Sequence, residues 1–564
     1  MSAKNIAILF GIFAAAIFLS FVAIFFFTLN TAVSDFSGGD AAISNQIYYN
    51  FLHGRLFQLS TYLEEYTQFY NPRPYFNVLV LHGYILGTVI VSLFYVPWPG
   101  INTMYAVFII LNYVGFAFFT FKIIQRLSPS NAGLKSLLAF SVFLLSGYLR
   151  QAVLCGYPIA LCGPFILGAY YFLISEKRAA FFFTIISLCL IQEDLALFAV
   201  TFLIVLLIFE KKCKKTIYLS LAFSLGYFIL WNFIIQPVLR RDLILVDPGL
   251  SSMLSVRFHE MLKTLSLWKP DPQKWLVTFS AFYLPILASA LIYKFFGSAR
   301  RMPWIKLFSF LFLAPAAHWL YGNFNLSGVH SLPVLPMAYL SFLLFLGYVN
   351  FNWKKNMTPG STAVFFAAIG IFLAVNIVAM TPALPFSPRI YAWKAVKKLT
   401  GLEIFKRDEM EKKIAKDDEW RKQAFSNKEA IKIVRDIPKD KSVVFWGNYP
   451  ATGFMTARND FWFFPMYYDL ADFLVIQKDA KYTGFTAEDL NAFDYRKPGF
   501  WGRELYTNTV LKAVSDQLVK EIIEKLVNKQ HTHRITRDTK YVLVLERLVK
   551  YRFDMPKSSL GLGQ

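Results

Sequence analysis

Long blocks of apolar residues recur along most of this chain, and they constrain its fold more than any other feature. Most of the blocks approach the roughly 20 residues with which an α-helix crosses a bilayer core about 30 Å thick. Inside lipid every backbone amide must be hydrogen-bonded within the chain, so we expect such blocks to be helices. The pattern predicts an all-α polytopic membrane protein with about 11 to 13 spans. The candidate spans are Ile6–Leu29, Phe76–Trp98, Ile101–Phe121, Leu134–Leu149, Ile159–Ile174, Ala179–Phe209, Ile217–Leu239, Leu276–Phe296, Ile305–Leu320, Leu332–Val349 and Ser361–Met380.

The composition also indicates that lipid is the main solvent. Hydrophobic residues make up 56% of the chain and charged residues only 17%, whereas a soluble domain typically carries about a quarter charged residues. The net charge is +22, but the lysines and arginines lie in short loops between apolar blocks and in the C-terminal region. This distribution is typical of membrane orientation and of contact with anionic headgroups. We therefore expect membrane lipids, and no nucleic acid, among the partners.

The basic loops predict how the chain is oriented. Clusters at Lys211–Lys215, Arg300–Lys306 and Lys354–Lys355 are expected to face the cytoplasm. The N-terminus would then be cytoplasmic and everything after Thr381 would lie outside a cell inner (plasma) membrane.

This orientation requires an odd number of crossings between Phe76 and Glu210, and the sequence leaves that number open. One solution is that Ala179–Phe209 is a hairpin of two short helices, interrupted at Gln192-Glu193-Asp194. Its 31 residues are long for a single crossing at about 1.5 Å per residue.

The composition changes after about Pro388, which divides the chain into a membrane domain (1–388) and an extracytoplasmic α/β soluble domain (389–564). Alternation of strand-like and helix-like segments in the second part is typical of a small α/β domain. The predicted strands are Ser442–Trp446, Phe473–Gln477 and Tyr541–Glu546, and the predicted helices are Leu402–Arg435 and Asn508–Val527.

Asp40 is the first candidate for chemistry, in the predicted outside loop of residues 30–75. It precedes Ala41–Leu52, whose apolar residues have helical spacing and predict an amphipathic helix lying in the membrane interface. A second interfacial segment is expected in residues 240–275. Asp40 could cap this helix, or it could serve as a general base or a ligand for a divalent cation such as Mg²⁺ or Mn²⁺.

Glu193 and Asp194 are the second candidate, because both lie in an otherwise apolar run. An ionisable residue within a membrane span is costly and is therefore a functional candidate by default. A structural pair bonded to neighbouring helices is the alternative.

Basic side chains near the predicted outside surface could bind a phosphate group, since the guanidinium fork of arginine matches phosphate oxygens. For any one of them, snorkelling to the interface is the alternative role. We also retain His82, which stands alone in an apolar run. The candidates are Arg150, Arg240, Arg241, Arg257, His259, His330 and His82.

Several motifs together resemble a known family. The run Gly39–Gln46, the turn His53-Gly54-Arg55, the pair Glu193-Asp194 and the stretch Asn448–Pro465 are similar to the domain-of-unknown-function 2079 family of predicted membrane proteins. This family is placed near the GT-C glycosyltransferases. Departures occur at Tyr75-Phe76, where the family often has a histidine, and at Gly156-Tyr157-Pro158, which replaces a His-Pro element.

The resemblance implies a GT-C-like architecture and a polyprenyl-phosphate-linked sugar donor. Asp40 would be the catalytic base or metal-organising acid, with Glu193 and Asp194 lining the same cavity and Tyr157 contacting substrate. The basic candidates would stabilise the departing phosphate. The acceptor would be a glycan, a lipid or a protein.

Two other classes of function stay open. A transporter or lipid flippase could use the buried carboxylates for ion or substrate coupling, and a receptor or assembly protein could use the soluble domain to hold a partner. The sequence contains no Walker loop and no GxGxxG motif, so we do not expect a nucleotide-driven pump.

Overall fold

The computed structural model describes about half of the chain. The described ranges are 39–60, 76–77, 83–129, 131–145, 156–235, 298–299, 304–313, 332–350, 422–464, 467–483, 511–514 and 516–551, together with position 79 and scattered helical positions between 15 and 30.

Helices dominate the first of the two predicted domains. They are α1 (Gly39–Leu52), α2 (Ile85–Tyr95), α3 (Ile101–Leu127), α4 (Ala132–Leu145), α5 (Cys162–Ile174), α6 (Arg178–Ile191), α7 (Asp194–Phe209), α8 (Lys214–Leu230), α9 (Trp304–Phe308) and α10 (Val334–Tyr348). A 3₁₀ turn, Pro158–Leu161, leads into α5, and π-helical turns continue α8 as Trp231–Ile235 and α9 as Ser309–Leu313. Two-residue strands, β1 (Gln58–Leu59) with β2 (Phe76–Asn77) and β3 (Ser298–Ala299) with β4 (Val349–Asn350), form antiparallel pairs.

Two of the described helices are long and apolar enough to cross a membrane, namely α3 with 27 residues and the 22-residue stretch Lys214–Ile235. The other apolar helices in the described ranges have 10–17 residues. The chain is thus mostly helical with a small C-terminal sheet, and the predicted 11 to 13 spans stay a prediction.

The helices α6 and α7 form the hairpin considered from the sequence. Gln192 is extended (φ −159°, ψ 143°) and separates the end of α6 from the start of α7. Lys212, beyond the end of α7, pairs with Glu176, which precedes α6. This ion pair brings together residues 36 positions apart, so the chain reverses at Gln192-Glu193 and the hairpin interpretation is confirmed.

Several helix ends gather with this ion pair on one side of the domain, which we call the basic end. Lys135, in the first turn of α4, donates to Ser128 Oγ after α3 and to the carbonyl of Val349 after α10, both at 2.7 Å. Lys306 in α9 pairs with Glu210, which follows α7. The opposite side, which we call the far end, holds the break between α6 and α7 and the starts of α3 and α5.

The described helices differ in one respect from the crossings predicted between Phe76 and Glu210. The predicted span Phe76–Trp98 is not a single helix, since it contains β2 and then α2, whose 11 residues extend about 16 Å. Both ends of α2 lie at the far end, where Gly83 contacts Glu193 and Tyr95 contacts Asn45 of α1. The helices α3, α5, α6 and α7 each run between the two ends, and α4 begins at the basic end with Lys135. The number of membrane crossings stays a prediction.

A five-stranded sheet organises the C-terminal domain. The strand β5 (Val443–Trp446) pairs in parallel with β6 (Phe461–Phe463) and with β7 (Phe473–Gln477). The strands β10 (His533–Asp538) and β11 (Val542–Arg547) complete it as an antiparallel hairpin, and the strand order is β10-β11-β7-β5-β6. The three strands predicted from the sequence are confirmed to within one residue at each end.

The helices of this domain differ from the prediction. Within Leu402–Arg435 the described part contains α11, Ala424–Asp436. The predicted helix Asn508–Val527 is wrong at its start, because Leu511–Ala513 is a strand (β9) that pairs with β8, Lys481–Thr483. Helix α12 begins only at Asp516 and ends at Ile523, with a π turn through Lys529.

Candidate functional site

Glu193 is a buried carboxylate at the far end of the helical domain. Its side chain is 4% exposed, and the break between α6 and α7 places it there rather than within a continuous helix. The backbone N–H of Gly83 donates to Glu193 Oε2 at 2.6 Å. This hydrogen bond positions one oxygen of the carboxylate and joins the α6–α7 hairpin to the segment before α2.

Three residues near Glu193 have buried polar side-chain atoms: Gln192 precedes it in the chain, Tyr227 lies on α8, which packs against α6 and α7, and Trp231 follows α8 and contacts Gly83. In the described part of the chain, Gln192 Oε1, Tyr227 OH and Trp231 Nε1 are buried and have no hydrogen-bond partner. Tyr227 lies within electrostatic range of Glu193 and stacks on Trp231, with ring centroids 6.0 Å apart. We call these four side chains with Gly83 the Glu193 cluster. Buried polar groups normally find partners, so this cluster has the hydrogen-bonding capacity to hold a polar ligand or water.

Gly83 makes close packing around Glu193 possible. A Cβ atom at this position would lie 2.9 Å from Cε2 and Cζ2 of Trp231. Only a residue without a side chain therefore lets its N–H reach Glu193 while the indole covers it.

Tyr157 and Asp194 lie beside the cluster. The ring of Tyr157 stacks on Tyr84, with centroids 5.6 Å apart, and Tyr84 follows Gly83 in the chain. Asp194 begins α7 and accepts a hydrogen bond from Gln192 Nε2 at 3.2 Å. A carboxylate in the first turn of a helix is stabilised by the helix dipole. The structure thus gathers Tyr157, Glu193 and Asp194 at one end of the helical domain.

Asp40 lies in the first turn of α1, and its side chain is outside the described residues. Helix α1 reaches the far end through Tyr48, whose hydroxyl is 3.5 Å from the carbonyl of Gly156. Tyr48 is eight residues from Asp40, or about 12 Å along the helix. The predicted convergence of Asp40 with Glu193 stays a prediction.

The basic candidates and the remaining histidines also lie outside the described residues. They are Arg150, Arg240, Arg241, Arg257, His259, His330 and His82. No group of three or more histidines, cysteines or carboxylates that could hold a metal ion occurs among the residues with described positions. The divalent cation expected at Asp40 therefore stays a prediction without a described set of ligands.

Helix α1 is enclosed by protein rather than exposed along a polar face. Every residue from 41 to 50 is buried, and α1 packs between α2 and the turn Tyr449–Phe454 of the C-terminal domain. Asn45 Nδ2 donates to the carbonyl of Gly453 at 2.9 Å and to Thr456 Oγ1 at 3.2 Å. Its Oδ1 accepts a hydrogen bond from Tyr95. The amphipathic spacing of Ala41–Leu52 predicted the helix but not that its polar face would be covered.

Gln46 and Ser60 continue this junction. Gln46 Nε2 donates to Ser60 Oγ at 2.8 Å, and Ser60 Oγ donates to the carbonyl of Phe461 in β6 at 2.6 Å. Arg55, in the His53-Gly54-Arg55 turn, pairs with Asp460. The residues that carry the family resemblance around Gln46 and Arg55 therefore join the first loop to the C-terminal domain. Sequence reasoning missed this role, although three consecutive polar residues inside a helix, Ser44-Asn45-Gln46, were a signal for it.

Arg458 has a structural role in the same region. Its guanidinium is fully buried and donates to the carbonyls of Val434 at 2.6 Å, Ile437 at 3.1 Å and Lys441 at 3.2 Å. The bonds to Val434 and Ile437 satisfy carbonyls at the end of α11 that have no partner within the helix, and the bond to Lys441 holds the segment that follows it. Burial lowers the pKa of Arg458 to about 10, so the side chain stays charged at neutral pH.

Comparisons with known proteins give a distant structural likeness. No family model and no curated protein matches the chain, so the resemblance to the domain-of-unknown-function 2079 family is not confirmed. Among solved structures, the chain is similar to ArnT from Cupriavidus metallidurans bound to undecaprenyl phosphate, with 10% identity and a TM-score of 0.45. The alignment covers 96% of this chain and 98% of ArnT. A likeness this distant assigns no activity.

Proposed function

We propose that this chain is a membrane glycosyltransferase that moves a sugar from a polyprenyl-phosphate-linked donor to an extracytoplasmic acceptor. The basic end faces the cytoplasm of a cell inner membrane, and the far end with the C-terminal domain faces outward. The observation that carries the proposal is the Glu193 cluster, in which a buried carboxylate lies among polar groups that have no partner in the described part of the chain.

The chemistry of the cluster suits a sugar. Glu193 and Gln192 Oε1 accept hydrogen bonds, whereas Trp231 Nε1 donates and Tyr227 OH can do either. A sugar hydroxyl both donates and accepts, so it can use the capacity of this cluster. The stacked rings of Tyr84 and Tyr157 offer an apolar surface close to it.

The reaction needs a base, an electrophile and a leaving group. Asp40 accepts the proton of the acceptor hydroxyl while the hydroxyl oxygen forms a bond to the anomeric carbon of the sugar. The bond between that carbon and the donor phosphate oxygen breaks, and polyprenyl phosphate leaves as an anion. Basic side chains from the group Arg150, Arg240, Arg241 and Arg257 stabilise this anion. A divalent cation held by Asp40 would stabilise the same charge.

The test compares glycolipids and cell-surface glycans by mass spectrometry, with and without the protein. We expect one sugar-bearing species to depend on the wild-type chain. Asp40→Asn and Glu193→Gln should each lower its formation about 100-fold or more, the range for loss of a general base or a preorganised polar group. Glu176→Gln is the matched control, because Glu176 lies at the basic end and pairs with Lys212; it should retain activity.

Full transfer by a correctly inserted Asp40→Asn variant would contradict this assignment of the base. A transporter or lipid flippase is the alternative that the same buried carboxylate allows. In vesicles reconstituted with the purified chain, movement of a labelled lipid-linked sugar across the bilayer without formation of a new glycosidic bond would favour that alternative.

A further inference from the structure

A groove of about 340 Å³ lies where the C-terminal domain meets the first apolar segment. One wall is the exposed face of α11, with Lys428, Lys432 and Arg435. Asn30, directly after the first apolar segment, also lines the groove. Ile431 and Phe454 add apolar surface. The groove thus combines cationic and apolar walls.

The three cations lie on one face of α11 because their spacing is four and then three residues. Asp436 is the acidic side chain that also lines the groove. None of the three cations forms an ion pair with any residue whose position is described. Like charges spaced this way destabilise a helix, so an anion bound between them would relieve their repulsion.

Arg435 is already held at the groove. Its guanidinium carbon lies 5.8 Å from the centroid of the Phe454 ring, which is within the range of a cation–π contact. The fork of this guanidinium matches two oxygens of a phosphate, and the neighbouring ammonium groups of Lys428 and Lys432 add point charges.

The location of the groove indicates where its ligand comes from. Asn102 Nδ2 donates to Asn30 Oδ1 at 3.4 Å, so the groove lies beside the start of α3, one of the two helices long enough to cross a membrane. Trp98, in the turn before α3, is 76% exposed, and exposed tryptophans are typical of the headgroup level. The groove therefore lies where a bilayer surface would be.

From these observations, we propose that the groove binds the phosphate headgroup of an anionic membrane lipid. Lys428, Lys432 and Arg435 contact the phosphate, while Phe454 and Ile431 contact the adjoining glycerol and acyl carbons. Binding holds the C-terminal domain against the membrane surface. This site does not require the proposed sugar transfer, and its ligand is a lipid of the surrounding bilayer rather than a reacting substrate.

The test uses the full chain purified in detergent and exposed to equal amounts of phosphatidylglycerol and phosphatidylcholine. Native mass spectrometry then measures which lipid stays bound. We expect the wild type to retain phosphatidylglycerol selectively. The triple variant Lys428→Gln, Lys432→Gln and Arg435→Gln should lower its association constant about tenfold or more, because charge-assisted hydrogen bonds to phosphate are lost.

The matched control removes three exposed charges elsewhere in the same domain, by Lys520→Gln, Arg537→Gln and Lys540→Gln, and should retain the lipid. Equal losses in both triple variants, or no loss in either, would overturn the proposal. So would saturable binding of inorganic phosphate without retained lipid, since the ligand would then be a solute. If the triple variant does not fold, Lys432→Gln alone carries the same comparison, with a smaller expected loss.

Discussion

Gly83 and Glu193 are 110 positions apart in the chain and are joined by a hydrogen bond of 2.6 Å from backbone to carboxylate. The bond connects the segment before α2 to the turn of the α6–α7 hairpin. It holds the buried Glu193 carboxylate near Tyr227 of α8 and near Trp231, which follows α8. The bond therefore determines the geometry of the Glu193 cluster.

Replacing Gly83 should test how tightly this cluster is packed. Gly83→Ala places a methyl group 2.9 Å from two atoms of the Trp231 ring, and overpacking of this kind costs about 1–3 kcal/mol. We expect a lower midpoint of unfolding and a shifted tryptophan emission. The control is Gly226→Ala in α8, where a Cβ would meet nothing within 4 Å. If both alanine variants behave alike, the packing around Gly83 is looser than the structure shows.

Asn45 should hold the first loop against the C-terminal domain. Asn45→Leu removes hydrogen bonds to Gly453, Thr456 and Tyr95 and leaves buried partners unsatisfied, at a cost of about 2 kcal/mol or more. Hydrogen–deuterium exchange of the turn at residues 449–456 should therefore become faster in this variant.

The adjacent Ser44→Ala change is the control for Asn45. The Ser44 hydroxyl is buried and has no partner among the described residues, so its loss should change stability by less than about 1 kcal/mol. Unchanged exchange in Asn45→Leu would show that the contact between α1 and the turn does not depend on this amide.

Arg458 should be more important for folding than for chemistry. Arg458→Met keeps much of the side-chain volume but leaves three buried carbonyls at and after the end of α11 without their donor. We expect a loss of about 3 kcal/mol or more in the free energy of unfolding. The exposed Arg537→Met should have little effect. A folded Arg458→Met variant with wild-type stability but no activity would point instead to a direct functional role.

His533 should make stability depend on pH. Burial, assisted by Arg547, lowers the pKa of His533 to about 4, while the unfolded chain has the ordinary value of about 6.5. The unfolded state therefore binds more protons between these values, and stability is present above pH 6.5 and decreases as the pH falls towards 4. Between pH 7 and pH 5 this group should account for a loss on the order of 2 kcal/mol.

The measurement is the difference between wild type and His533→Asn in urea unfolding at the two pH values. The variant should lose less stability on acidification, whereas His531→Gln, at an exposed position, should behave like the wild type. Identical pH dependence in wild type and His533→Asn would contradict the prediction.

The sequence alone was sufficient for features that depend on local pattern. Apolar periodicity located α3 and α8, and the strands β5, β7 and β11 followed from runs of β-branched and aromatic residues. The two charges of Glu193-Asp194 within an apolar run marked the break between α6 and α7, because adjacent carboxylates are too costly inside a continuous apolar helix.

Only the tertiary structure decided which distant residues meet. Nothing local to Gly83 indicates Glu193 or Trp231 as its neighbours, since that contact depends on the reversal at Gln192 and on the packing of α8. The same holds for Asn45, whose partners Gly453 and Thr456 lie more than 400 positions away. Hydrophobic periodicity specifies that a face is buried but not what buries it, because burial of apolar area is non-directional. The directional hydrogen bonds that select partners form only once the helices are packed.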